Sequence, residues 1–283
     1  MKQLAKQLAL AALAIALSTG AWAGNITVKG SDTLVVLAQK WAEVYMGQHA
    51  DVKIQVSGGG TGTGFAALQN QTTDLCDASR KAKAAEIANC VKVFGGKRPT
   101  EYKVALDGLS VYVNPENPIK ELTLDQVKDI FTGKTKNWKE VGGPDAPITV
   151  YSRENSSGTY EFFKEHVLKG SDFAASAQTQ QGTALIVQSV VKDKNAIGYG
   201  GAAYGGGSKL LPIKKDENSP AVAPSEETVI NQSYPIWRYL YVYLDPAKDK
   251  GEVAAYMNWI RSDDGQKYVK DVGYYPLPKN LRN

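Results

Sequence analysis

Apolar positions change their period repeatedly along the chain, and each change marks an element. Ile26 and Val28 alternate with polar neighbours as in a short strand. Leu34, Leu37, Ala38, Trp41 and Tyr45 then recur at helical spacing, which predicts a helix over about 34–46 with that stripe buried. The pattern repeats with a strand at 52–56, a glycine-rich turn and a helix at 64–69, then with a strand near Leu75 and a helix at 84–91. A long strand-like run covers 104–113. Thr123 and Gln126 have the spacing of a capping box, and Gly133 suits the end of the helix they open. Further on, 148–152 predicts a strand, 158–168 a helix and 196–199 a buried strand. The polar stretch 214–227, with Pro220 and Pro224, reads as a surface loop. A second long apolar strand at 237–244 precedes a helix at 253–260.

Strands alternating with helices predict an α/β protein. The two long strands suggest a chain that leaves one lobe and later returns to it. The expected division is a first lobe of 24–107 and 239–283 and a second lobe of 108–238. No internal repeat or low-complexity tract interrupts this order.

Composition adds the compartment. Lys2 and Lys6, the apolar run 8–17 and Ala21-Trp22-Ala23 have the form of a secretory leader cut after Ala23. That run is too short to span a bilayer as a mature helix. No cysteine follows the expected cut, so free periplasm is favoured over a lipid anchor. The full chain has 33 basic and 29 acidic residues, and the leader carries two lysines and no acid, which leaves a mature charge of +2. So small an excess does not argue for nucleic acid or a lipid surface. In an oxidising compartment the default for Cys76 and Cys90 is a disulfide. Closing a loop of about 15 residues would be worth roughly 3 kcal/mol. Their spacing matches no metal site, and neither a metal nor a cofactor is expected.

Four strand-to-helix junctions carry small hydroxyl or glycine residues: 30–33 (GSDT), 58–64 (GGGTGTG), 78–80 (ASR) and 153–159 (RENSSGT). In open α/β sheets ligands bind beyond the carboxyl ends of the strands. Helix N-termini there expose unpaired N–H groups and partial positive charge, which suits an oxyanion. Arg80 and Arg153 add forked, charge-assisted donors. Any one such junction is ordinarily just a helix cap. Repetition at four places is what points to an oxyanion site. The glycine run lacks G-x-G-x-x-G, and the Gly133-Lys134-Thr135 tripeptide follows a helix instead of opening one, so nucleotide chemistry is disfavoured. G-x-S-x-G is absent, and His49 and His166 are not placed as general bases, so no enzyme activity is expected.

These residues resemble the phosphate-binding proteins of bacterial high-affinity phosphate ABC transporters, within the type II periplasmic binding protein superfamily. The likeness runs over the whole mature chain. It rests on GSDTL at 30–34, GGGTGTG at 58–64, DASRK at 77–81, LTLDQVKDIFTGKTKNW at 122–138, SRENSSGTYEFF at 152–163 and NAIGYG at 195–200. It implies two lobes, each a mixed sheet flanked by helices, joined by two crossing strands with phosphate between them. It also implies that Thr33 gives a hydroxyl and Leu34 an amide, that Thr61 is a hydroxyl donor, and that Arg153 is the charged clamp. Ser157 would give its hydroxyl, Gly158 its amide, and Thr159 both.

Two positions depart from the family pattern. Some members have an Asp after the Ser of the third junction, as acceptor for the phosphate proton; here Ser79 is followed by Arg80. Asp32, beside Thr33, is the candidate replacement, with a helix cap or a pair with Arg80 as its other roles. Asn155 stands where relatives often carry an acid. The expected protein is a monomeric binder of inorganic phosphate that docks on a membrane ABC permease. A sulfate-like binder, a secreted phosphate-ester hydrolase or a non-transport relative on the same scaffold are the alternatives.

Overall fold

The computed structural model describes residues 24–282. The leader expected at 1–23 lies outside them. Strands β1 (Gly24–Gly30), β2 (Val52–Ser57) and β3 (Leu75–Ala78) run parallel in the order β2-β1-β3. Helices α1 (Val35–Gln48), α2 (Thr61–Gln69) and α3 (Ala84–Val93) follow them in turn. The predicted α1 stripe is buried, and the Trp41 indole donates to the Gly265 carbonyl at 2.8 Å.

Strand β4 (Thr100–Val113) pairs along its first part with β12 (Trp237–Leu244) and along its last part with β8 (Ala196–Gly201). One long strand therefore belongs to both halves of a single mixed sheet, in the order β2-β1-β3-β12-β4-β8-β6-β7, with β9 (Lys209–Leu211) pairing off this path with β4. In the second half, β6 (Thr149–Arg153) runs parallel to β8 and to β7 (Gln178–Gln180). The apolar core changes identity along β4. Val104 and Ala105 pack with Trp41, Tyr45, Leu240 and Tyr256, whereas Leu106 and Leu109 pack with Phe131, Trp138, Phe163 and Tyr199. The fold is the mixed α/β arrangement expected, with β4 and β12 crossing between two cores.

Helix α4 (Leu124–Phe131) starts with the predicted box: Gln126 N donates to Thr123 Oγ1 at 3.1 Å, and Thr123 N donates to Gln126 Oε1 at 2.9 Å. Three expectations need correction. The stretch 214–227 is not simply loop. In it, β10 (Ile213–Lys214) pairs with β5 (Leu122–Thr123) and β11 (Ala221–Val222), and helix α7 (Glu226–Ile230) begins behind a Ser225 cap. The second correction is helix α6 (Thr183–Lys192), which the periodicity reading omits. Its Thr, Ile and Val content reads as strand by propensity, yet Ile186 and Val190 fall on one buried face. Finally, Cys76 and Cys90 are free thiols, both fully buried in one small aromatic cluster instead of bridged. Burial pushes the Cys90 thiol up to about 11, so the thiolate needed for exchange is suppressed. Helices α5 (Gly158–His166), α8 (Gly251–Arg261) and α9 (Asp263–Val272) complete the flanking layers. No helix among the described residues is long and apolar enough to cross a membrane.

Candidate functional site

Hydroxyls from both halves of the sheet meet at the N-terminus of α5. Thr33, in the turn between β1 and α1, lies with its Oγ1 2.8 Å from Thr159 Oγ1. Ser79 Oγ, just past β3, lies 3.4 Å from the same Thr159 oxygen and 3.5 Å from Thr61 Oγ1. Thr61 is the first residue of α2, three positions earlier than the pattern predicts, and its hydroxyl accepts the Ser79 amide at 3.1 Å. All four side chains are buried. Ser157 caps α5 by accepting the Tyr160 amide at 3.2 Å, which leaves its own proton free to donate elsewhere. Gly158 and Thr159, as the first two residues of α5, have no carbonyl within the helix to bond. A Cβ on Gly158 would fall 2.3 Å from Thr61 Oγ1 and 2.7 Å from Ser79 Oγ, so only glycine permits this approach.

The backbone closes the same seam. Gly62 N donates to the Ser156 carbonyl at 2.9 Å, and Ser156 Oγ donates to the Gly59 carbonyl at 3.1 Å. The Leu34 amide, expected to face a ligand, instead donates to the Ser31 carbonyl at 3.0 Å. It is held in a turn that presents Thr33, whose own carbonyl accepts the Tyr274 hydroxyl at 2.6 Å.

Arg153 is buried at the end of β6 and reaches across the seam. It donates to Asp32 Oδ2, to both oxygens of Glu154 and to Thr183 Oγ1, at 2.8 to 3.0 Å. Burial works against its charge, but the bonds and charge of Glu154, together with Asp32, more than offset this. Asp32 Oδ1 takes the Gly59 amide at 2.9 Å. Asp32 therefore neither caps α1 nor pairs with Arg80. It bridges the glycine turn and the buried guanidinium.

Arg80 does not join the hydroxyls. Glu86, on the first turn of α3, accepts Arg80 Nη1 and Nη2 at 2.7 Å each and also takes the Lys83 amide at 2.7 Å. The helix after the third junction starts only at Ala84, so Ser79 and Arg80 are not at a helix N-terminus. The carboxylate that opens that helix draws the guanidinium away.

Arg238, which sequence reasoning missed, takes the place expected for Arg80. It sits on β12 directly opposite Asp107 of β4 and donates through Nε and Nη2 to Asp107 Oδ2 at 2.9 and 2.8 Å. Its Nη1 donates to the Ser79 carbonyl and its Nη2 to Thr159 Oγ1, both at 3.0 Å. One guanidinium thus links the two crossing strands to the cluster. Two opposite charges inside two apolar strands were the available signal, because a buried charge needs a partner.

A two-core α/β chain with donors gathered at the seam between its halves defines the class of bilobal ligand-binding proteins. The chain belongs to the family described as the PBP superfamily domain, whose model matches residues 18–264. It is 36% identical over 274 residues to the phosphate-binding protein PstS of Pseudomonas aeruginosa, covering 91% of this chain and 84% of that one. It is likewise 36% identical over 264 residues to PstS of Staphylococcus epidermidis, covering 90% and 80%. Among solved structures, a Clostridium perfringens substrate-binding protein with bound phosphate superposes with a TM-score of 0.82 at 29% identity, covering 90% of this chain and 100% of that one. An ABC-type phosphate transport receptor from Vibrio cholerae gives a TM-score of 0.71 at 25% identity, again with 90% and 100% coverage.

Proposed function

We propose that this protein is an extracytoplasmic binding protein that captures inorganic phosphate between its lobes and delivers it to a membrane ABC permease. The observation that carries this reading is the convergence of Thr33, Ser79 and Thr159 at the start of α5, with Arg238 bonded to the same Thr159 hydroxyl. Neutral hydroxyls, helix-terminal amides and one forked cation match the four oxygens of a tetrahedral anion. The kinship with PstS proteins makes phosphate the anion of choice.

In this reading lobe 1 is 24–107 with 239–283, and lobe 2 is 108–238. Lobe 1 offers Thr33, Thr61 and Ser79, and lobe 2 offers Ser157, Gly158 and Thr159. Arg238 supplies the charge on the hinge, while Arg153 and Asp32 hold the seam. The two guanidinium groups face three carboxylates, Asp32, Glu154 and Asp107. Bulk attraction is therefore not what selects the anion. Carboxylates near the seam favour a ligand that brings its own proton, and each Asp32 oxygen keeps a second lone pair to receive one. The protein acts as a monomer outside the cytoplasm, its leader cut after Ala23, with no part for nucleic acid.

Hydrolysis finds no support in the site. Ser157 Oγ caps α5 and, among the described residues, is bonded to no base, while His166 stacks on Phe162 and His49 on Tyr45. The test is calorimetric titration of the mature protein with phosphate, arsenate and sulfate across neutral pH. Phosphate should bind with micromolar or tighter affinity, about −8 kcal/mol or better. Sulfate should bind roughly 10- to 100-fold more weakly, the cost of an unmatched buried lone pair. Equal affinity for sulfate would replace phosphate by oxyanions in general, and no binding of either would overturn the reading.

A further inference from the structure

A groove of about 970 Å³ lies next to the hydroxyl cluster, sharing Arg238 with it but none of the cluster hydroxyls. Its floor is β12. Trp237, Tyr239 and Tyr241 occupy alternate positions there and so share one face of the strand. Successive rings stand edge-on, with centroids 5.4 and 6.2 Å apart. One wall is the segment 80–84 that leads into α3. The other is α5, where the Phe162 and His166 rings stack at 4.1 Å. Lys83 and Glu161 join the two walls at 2.8 Å.

The charge of this groove is one-sided. Arg80, Lys83 and Arg238 are neutralised by Glu86, Glu161 and Asp107. Lys81, Lys169 and Lys215 also line it, and among the described residues none of them has a carboxylate partner; Glu165 is the one lining acid without a cation. An aromatic floor under a basic rim, in a volume within the range of small-molecule sites, suits a flat ring that carries negative charge.

We propose that this groove is a second ligand site, for a planar aromatic anion of the size of a nucleoside monophosphate. The ring packs against Trp237 beside Tyr239, whose own ring already carries Lys103 Nζ 4.1 Å from its centroid, and its anionic group sits among Lys81, Lys169 and Lys215. The walls come from both halves of the molecule and the floor from a crossing strand, so an occupant that touches all three favours the halves held together. By linkage, such an occupant tightens anion binding at the hydroxyl cluster by the same factor as that anion tightens the occupant. The site itself does not depend on the phosphate reading; only this coupling does.

The test is calorimetry of the mature protein with adenosine 5′-monophosphate, with adenosine and inorganic phosphate as comparison arms. Adenosine monophosphate should bind one site on protein already saturated with inorganic phosphate, and adenosine should bind more weakly. In the surface variant Lys81→Glu/Lys215→Glu the affinity should fall at least roughly tenfold, the effect of reversing two exposed charges near an anion. Trp237→Leu should weaken both nucleotide and nucleoside. No binding to phosphate-saturated protein, or displacement by inorganic phosphate in direct competition, would overturn the proposal, as would unchanged affinity in the lysine variant. Should inorganic phosphate itself not bind, the lysine and tryptophan variants still decide the groove by themselves.

Discussion

Asp32 and Arg153, 121 residues apart, meet at 2.8 Å across the seam between the two halves, and the second oxygen of Asp32 ties down the Gly59 amide. The carboxylate thus fixes the glycine turn to a guanidinium that is almost wholly buried. Asp32→Asn should weaken phosphate binding roughly 10- to 100-fold, because a lost bond to a buried charge costs about 1–3 kcal/mol. Sulfate measured alongside separates two roles. A parallel loss makes Asp32 a positioning residue, and a selective loss of phosphate makes it the proton acceptor.

Gly158 sets how closely the halves approach. Gly158→Ala places a methyl group well inside contact distance of Thr61 Oγ1 and Ser79 Oγ. The cluster should then be held apart even with ligand present. Small-angle scattering should give a larger radius of gyration for the phosphate-loaded variant than for the loaded parent. Under the proposed function the halves stand apart without ligand, so the melting temperature of the ligand-free variant should change little. A loaded variant as compact as the parent would refute this role.

The legible parts of the molecule were those set by local chemistry. The α1 stripe follows from spacing alone, and the Thr123–Gln126 box needs only residues three apart. The Thr33, Thr61, Ser79 and Thr159 hydroxyls stood out because one chemistry recurs at separate junctions, and the structure brings them together. What failed depended on contacts that local spacing does not show. Arg80 looked available until Glu86, six residues on, claimed it from the next helix. Arg238 was hidden in an apolar run because its partner Asp107 lies 131 residues away, on the strand that pairs with it. Helix α6 was hidden by β-branched residues whose strand propensity is overridden by packing against β8 and β6.

Asp77, at the end of β3, gives the molecule a pH signature. Burial pushes its carboxyl up to about 7. Between about pH 4 and 7 the folded protein holds a proton that the unfolded chain, with a value near 3.9, has already lost. Stability from this group is therefore complete below about pH 4 and declines as pH rises through that window, by up to about 1.4 kcal/mol per pH unit. Asp77→Asn lacks the titration. Its melting temperature should match the parent near pH 4 and exceed it at pH 8. Parallel curves across that range would mean that Asp77 is ionised in the folded protein.

Arg238 and Asp107 are both buried, which allows their structural and binding roles to be separated. Asp107→Asn leaves an uncompensated guanidinium between the crossing strands and should cost about 3–5 kcal/mol of stability in urea unfolding. Replacing both partners by apolar residues, as in Asp107→Leu/Arg238→Met, removes the charge problem and should restore most of that loss. Phosphate binding should not return, because Thr159 then lacks the cation bonded to its hydroxyl and Ser79 the donor to its carbonyl. A stable double variant that binds phosphate like the parent would reduce Arg238 to a strut between β4 and β12. A stable one that does not bind would place the decisive charge on the hinge strand, where movement of the lobes and capture of the anion are sensed by one side chain.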